Sequence, residues 1–266
     1  MILSSGLDAN VVLAIAAALA YAISAAGASR LGDQGARFAL IAAWLLHLGA
    51  IAWGLLLGQP PRFGFAPALS VTAWLVLTVY AIERQVFPQL QARWALAGLG
   101  SIAVLLALLY PGAPLHALAS PWLPLHLALG IASYGLFAAA AVHAWLMMRA
   151  EHAIRQGADA NAGLPLLTLE RLTFRFATAG FVLLSATLLA GLLFSEKLYG
   201  QPVRLDHKTV FSILAWLVFA FLLLGRLRFG WRGRKAVRVL YTGSILLLLA
   251  YAGSRFVLEV ILRRAS

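Results

Sequence analysis

Six histidines are the side chains in this sequence best suited to chemistry: His47, His116, His126, His143, His152 and His207. Cysteine is absent, which removes disulfides, thiolate metal sites and thiol redox chemistry. The usual catalytic signatures are missing as well. The chain has no Gly-rich loop ending in Lys-Ser/Thr, no His-Glu-x-x-His and no nucleophile elbow. What six imidazoles offer instead is metal ligation, axial ligation of a haem iron included, or hydrogen bonding inside an apolar body.

The elements that must carry them are membrane helices. Of 266 residues, 62% are hydrophobic and 11% charged, with a mean hydropathy of +0.89. A soluble domain is about a quarter charged, so the chain is read as all-α and polytopic. Eight apolar stretches are expected to span: Val11–Ala28, Phe38–Leu57, Ala66–Ile82, Trp94–Leu109, Leu123–Met148, Phe176–Phe194, Thr209–Leu224 and Val239–Phe256. The first lacks the leading basic residues of a signal peptide and is read as a retained span. No repeat is visible, and residues 1–266 read as a single domain. Pro165 is expected to open a short helix along the membrane surface before the sixth span. No Asp or Glu is expected mid-membrane, which argues against a proton relay.

Charge sets the orientation. Lys and Arg number 21 against 9 Asp and Glu. The odd-numbered loops carry 14 of the basic residues and the even-numbered loops 4. By the positive-inside rule the odd loops are cytoplasmic and both termini lie outside. The basic excess therefore speaks of topology and of the lipid bilayer as partner, not of nucleic acid, for which no aromatic-interleaved basic patch exists. Six of the cations, Arg226, Arg228, Arg232, Arg234, Lys235 and Arg238, crowd the seventh loop, where anionic lipid is the expected partner.

Orientation then sorts the histidines. His126, near the outer end of the fifth span, and His207, immediately before the seventh, fall on the same side. His47 is mid-membrane in the second span, where it either bridges helices or ligates. His143 is 17 residues from His126, roughly 25 Å along a helix, and belongs to the other surface. Trp122, His126, Gly130, Tyr134 and Phe137 recur on one helical face, with the glycine leaving a gap for something flat. Two neutral imidazoles from different helices with aromatic and apolar walls are what a bis-histidine haem requires. Arg204 and Lys208 flank His207 and would pair with the haem propionates.

Several stretches carry a family resemblance. Leu205-Asp-His-Lys-Thr-Val-Phe-Ser-Ile-Leu-Ala-Trp216 and Phe229-Gly-Trp-Arg-Gly-Arg234 resemble the CcsA-type cytochrome c assembly family, in particular its YpjD/HemX-like branch. Leu125-His126 through Ser133-Tyr134, Leu164-Pro through Leu169-Glu-Arg-Leu-Thr-Phe-Arg175, and Tyr251-Ala-Gly-Ser-Arg-Phe-Val-Leu-Glu259 are similar too. The resemblance implies a multi-pass protein of the bacterial inner membrane that handles haem during cytochrome c maturation, and partner proteins of that process. It matches His126 to the family's first external histidine. The family's tryptophan-rich outer segment is not found between Glu196 and Lys208, and Leu224 stands where the family has a histidine. His207 occupies the proline position of the family's Asp-Pro-Lys-Glu turn, so its assignment as second ligand rests on side and depth. The resulting expectation is haem binding and presentation rather than bond-making catalysis. A non-haem scaffold that docks a partner through its basic cytoplasmic loops is the alternative.

Overall fold

The structure is a computed structural model and describes residues 9–26, 28–57, 62–87, 93–114, 122–157, 164–195 and 206–261. Among these, eight long helices account for nearly everything. They are α1 (Ala9–Ala26), α2 (Ala28–Ala52), α3 (Phe65–Val86), α4 (Arg93–Leu109), α5 (Leu123–Arg155), α6 (Leu166–Leu193), α7 (His207–Phe229) and α8 (Gly233–Leu248). Seven helical segments are long and apolar enough to cross a membrane, and Trp94–Leu109 is a shorter apolar helix. The all-α polytopic reading stands, and the lipid-facing surface explains exposed residues such as Phe38, Leu189 and Phe221. Trp94 and Trp122 are both exposed at helix starts, the usual place for an interfacial indole.

Contacts gather the chain into two units. The first comprises α1, α2, α4 and α3 as far as Ala81. Here α1 packs on α2 and α4. Trp44 and Trp74 stack at 4.9 Å between ring centroids. A two-residue antiparallel pair, β1 (Arg62–Phe63) with β2 (Ala113–Pro114), ties two of the connections together. Gly112 permits that pairing, because its φ is +81° and a Cβ would lie 2.5 Å from the Phe63 carbonyl carbon.

The second unit contains α5 to α8 and the last turn of α3 from Ile82 onward. α5 lies against α6 and α8, and α7 against α6 and α8. Its centre is a stack of Phe137 on Phe219, 3.6 Å between centroids and nearly parallel. Gly180 and Gly243 provide the room, each facing one of these rings. Small residues at such crossings let helices approach closely where lipid supplies no hydrophobic drive.

One expectation needs correction, and two carboxylates need placing. α6 is continuous from Leu166, with Pro165 preceding it, so no separate surface helix precedes the sixth span. Nothing in Leu166–Leu193 breaks a helix, and Glu170 finds cationic partners that let the turn be buried. α3 likewise runs past Ile82 to Val86, which carries Glu83 into the packed structure. Carboxylates are therefore buried within these helices, Glu83 beside His143 and Glu170 beside Arg226.

Candidate functional site

The histidines occupy quite different surroundings. His47 is fully buried in the first unit. Its Nδ1 lies 3.1 Å from the Tyr21 hydroxyl and its Nε2 lies 2.8 Å from Ser70 Oγ. Both ring nitrogens are thus engaged, and the imidazole joins α1, α2 and α3. His143 is buried in the second unit, donating from Nδ1 to the Ala139 carbonyl at 2.8 Å. Its Nε2 meets Glu83 Oε2 at 2.9 Å, and its ring lies against Phe176. His116 lies outside the described residues, and His152 stands on the last turns of α5.

His126 sits in the first turn of α5, partly buried, with its Cε1 packed where a side chain on Gly191 of α6 would project. His207 is the first residue of α7 and is exposed. Asp206 caps that helix, its carboxylate accepting from the Thr209 backbone N–H at 2.8 Å. The next residue, Lys208, is close enough for its charge to act on the His126 ring. The start of α7 thus comes near His126 through Lys208, while His207 itself is exposed. Lys208 Nζ also lies 5.7 Å from the centroid of Tyr251, and Arg255 acts on it electrostatically from the distal part of the last helix. Arg204 lies outside the described residues.

The face read along α5 is shared among several neighbours. Trp122 is exposed. Gly130 is no open gap, since Thr187 of α6 fills the space beside it. Phe137 belongs to the central stack. Tyr134 donates to the Leu247 carbonyl at 2.6 Å, and the Tyr251 backbone amide bonds the same hydroxyl. In an uninterrupted α-helix those two backbone groups would bond each other. The hydroxyl is wedged into the ladder, and the helix continues as a π turn over Leu249–Gly253.

Sequence reasoning missed Tyr251 and Arg255 as neighbours of Lys208. Arg255 reads as a charge near the end of the last span, and helical spacing does not reveal which helix it faces. The seventh-loop cations are also less free than their number suggests. Arg226 reaches Glu170 at 2.6 Å and Arg232 reaches it at 3.4 Å, while Arg234 lies 3.9 Å from Glu151.

Chemically, the His126 end offers one partly buried imidazole with Lys208 close by and Arg255 beside Lys208, and an exposed second imidazole, His207, at the start of α7. That donor set suits a haem with imidazole ligation and anionic edge groups. Among the described residues, no cluster of three or more His, Asp or Glu could hold a bare metal ion.

A multi-pass helical membrane protein with histidines at one end of a four-helix unit is the class these observations define. Comparison with known proteins narrows it: residues 34–262 match the family described as Cytochrome C assembly protein, and the chain belongs to that family. The match runs through both units. Inner membrane protein YpjD of Escherichia coli (strain K12) is 36% identical over 148 residues, 55% of this chain and 56% of the relative. Cytochrome c biogenesis protein CcsA of Parasynechococcus marenigrum (strain WH8102) is 26% identical over 227 residues, 74% of each chain. The chain thus spans little more than half the length of YpjD in that alignment. No solved structure matches.

Proposed function

We propose that this protein acts in cytochrome c maturation in the bacterial inner membrane, holding haem at the outer face through His126, with His207 as second axial ligand. The observation that carries the reading is the approach of the α7 start to His126 in a chain that belongs to the cytochrome c assembly family. Lys208 and Arg255 would face the propionates, a pairing of anion and cation that orients the haem edge. Trp122 and Tyr134 lie on either side of His126 along α5 and would border the ring. Haem, when bound, supplies the redox-active iron. The chain's own residues supply ligation, orientation and a partly apolar surrounding. His47, held through both nitrogens by Tyr21 and Ser70, is assigned to bridging helices.

The scaffold alternative draws less support, because Arg226, Arg232 and Arg234 of its docking loop are already engaged with carboxylates of this chain.

Visible spectra of the purified protein and its variants test the reading. Replacing either His126 or His207 by Ala should convert a low-spin spectrum to high-spin or leave haem weakly held, and the double variant should bind none. His47→Ala should keep the ligand spectrum of whatever protein folds. Arg228→Gln, an exposed change on the last turn of α7, should alter nothing. An unaltered low-spin spectrum in the double variant would refute the ligand pair.

A further inference from the structure

The first unit holds an open cavity of about 590 Å³ that the haem reading does not use. It is bounded by the start of α1, the end of α2 with its π turn, the start of α3 and the end of α4. Its walls mix apolar and polar surface, with Val11, Val71 and Val104 on the apolar side, and among the described residues Arg62 is the only charged one in the lining. No carboxylate of the described residues lines it to neutralise that guanidinium.

A second feature gives the cavity a donor deep in its wall. Ser70 lines it and is nearly fully buried. The Tyr21 hydroxyl lies 3.1 Å from His47 Nδ1, as donor or as acceptor according to the ring tautomer. With that O–H donating, Nε2 carries the ring proton and donates to Ser70 Oγ. The Ser70 O–H is then left for an acceptor of its own. In that tautomer the hydrogen-bond chain Tyr21–His47–Ser70 ends in a donor at the cavity wall, where Arg62 supplies a cation.

We propose that this cavity binds a membrane amphiphile with an oxyanion head, a carboxylate or phosphate carried on an alkyl chain. The head would pair with Arg62 and accept from Ser70, and the chain would lie along the apolar wall. A neutral head of the same shape would forgo the charge-assisted contact. The site lies within the first unit and stands independently of haem ligation by His126 and His207.

Trp53 lines the cavity and provides a reporter. The full-length protein in neutral detergent is titrated with 9,10-dibromostearate, with its methyl ester, and with a phosphatidate bearing the same brominated chains. Quenching attributable to Trp53 is isolated by repeating each titration on Trp53→Phe. The expected result is saturable quenching by the acid or the phosphatidate, with the ester at least about tenfold weaker. The acid alone would mark a free fatty acid as the ligand, and the phosphatidate alone would mark a phospholipid; either supports the site. Arg62→Gln should weaken binding by about tenfold. Gly54→Phe, at a position where a Cβ meets no atom within 4 Å, should abolish saturation while circular dichroism and size-exclusion behaviour stay those of the wild type. Equal binding of acid and ester, indifference to Gly54→Phe, or displacement of the brominated acid by equimolar haem would each overturn the proposal.

Discussion

Removing the imidazole of His143 should unbalance the second unit more than any single loss in its basic loops. His143 and Glu83 side chains are only 4% and 10% exposed, and Nε2 and Oε2 are 2.9 Å apart. His143 Nδ1 donates to the Ala139 carbonyl, which leaves Nε2 as the ring nitrogen that faces Glu83 Oε2. Among the described residues neither Glu83 oxygen has a hydrogen-bond partner, and the His143 ring is the polar group set against the carboxylate. His143→Ala would strand that group, and breaking a buried pair from one side costs about 3–5 kcal/mol. Glu83→Gln keeps a polar contact and should cost about 1–3 kcal/mol. Replacing both by leucine removes the charge and its partner together and should return stability to within about 1 kcal/mol of the wild type. Unfolding in mixed micelles of graded denaturing detergent, run on the wild type, His143→Leu, Glu83→Leu and the double leucine variant as a double-mutant cycle with His143→Ala and Glu83→Gln alongside, measures these differences. A loss below about 1 kcal/mol for His143→Ala, or strictly additive single and double variants, would show that the two groups do not depend on each other.

Gly243→Ala should lower stability by about 1–3 kcal/mol, since its Cβ would stand 2.6 Å from the buried Phe219 ring, whereas Gly54→Ala, with open space around it, should be near neutral; thermal melts of the two compare them. Tyr134→Phe should cost about 1–3 kcal/mol and change amide exchange in Leu249–Gly253 selectively; unchanged exchange there would show that the hydroxyl does not hold the π turn open. A reporter active only outside the cytoplasm should work when fused after Ser266 and fail after Arg155, and activity at Arg155 would reverse the orientation that puts His126 outside.

The spans were legible because continuous apolar stretches leave few alternatives in a chain with so few charges. Their limits were not. Glu83 and Glu170 look like loop residues to any count of charges, and only the positions of His143 and Arg226 on other helices make their burial affordable. Gly130 illustrates the same limit on a face: its lack of a side chain was plain, but whether the space admits a ligand or the neighbouring Thr187 depends on α6. His47 could be read as needing a partner, whereas Tyr21 and Ser70 carry no periodic signal that would identify them as that partner. At the His126 end, Lys208 could be placed beside His207 from the chain itself. Its proximity to His126 and Arg255 depends on helices meeting far apart in sequence.

The wide turn after Leu248 also acts as a phase shifter. Each residue of a regular helix advances about 100° around the axis, so a turn that accommodates one extra residue rotates everything beyond it relative to the helix before it. Arg255 lies just beyond that turn, and the direction it presents therefore depends on the turn's winding. Deleting a single residue between Leu249 and Gly253 could restore regular winding while swinging Arg255 around the axis and away from Lys208. A one-residue length change in this stretch would thus retune the electrostatics beside His126 without altering any residue of that cluster, and comparisons among relatives should treat the spacing from Leu247 to Arg255 as a variable in its own right.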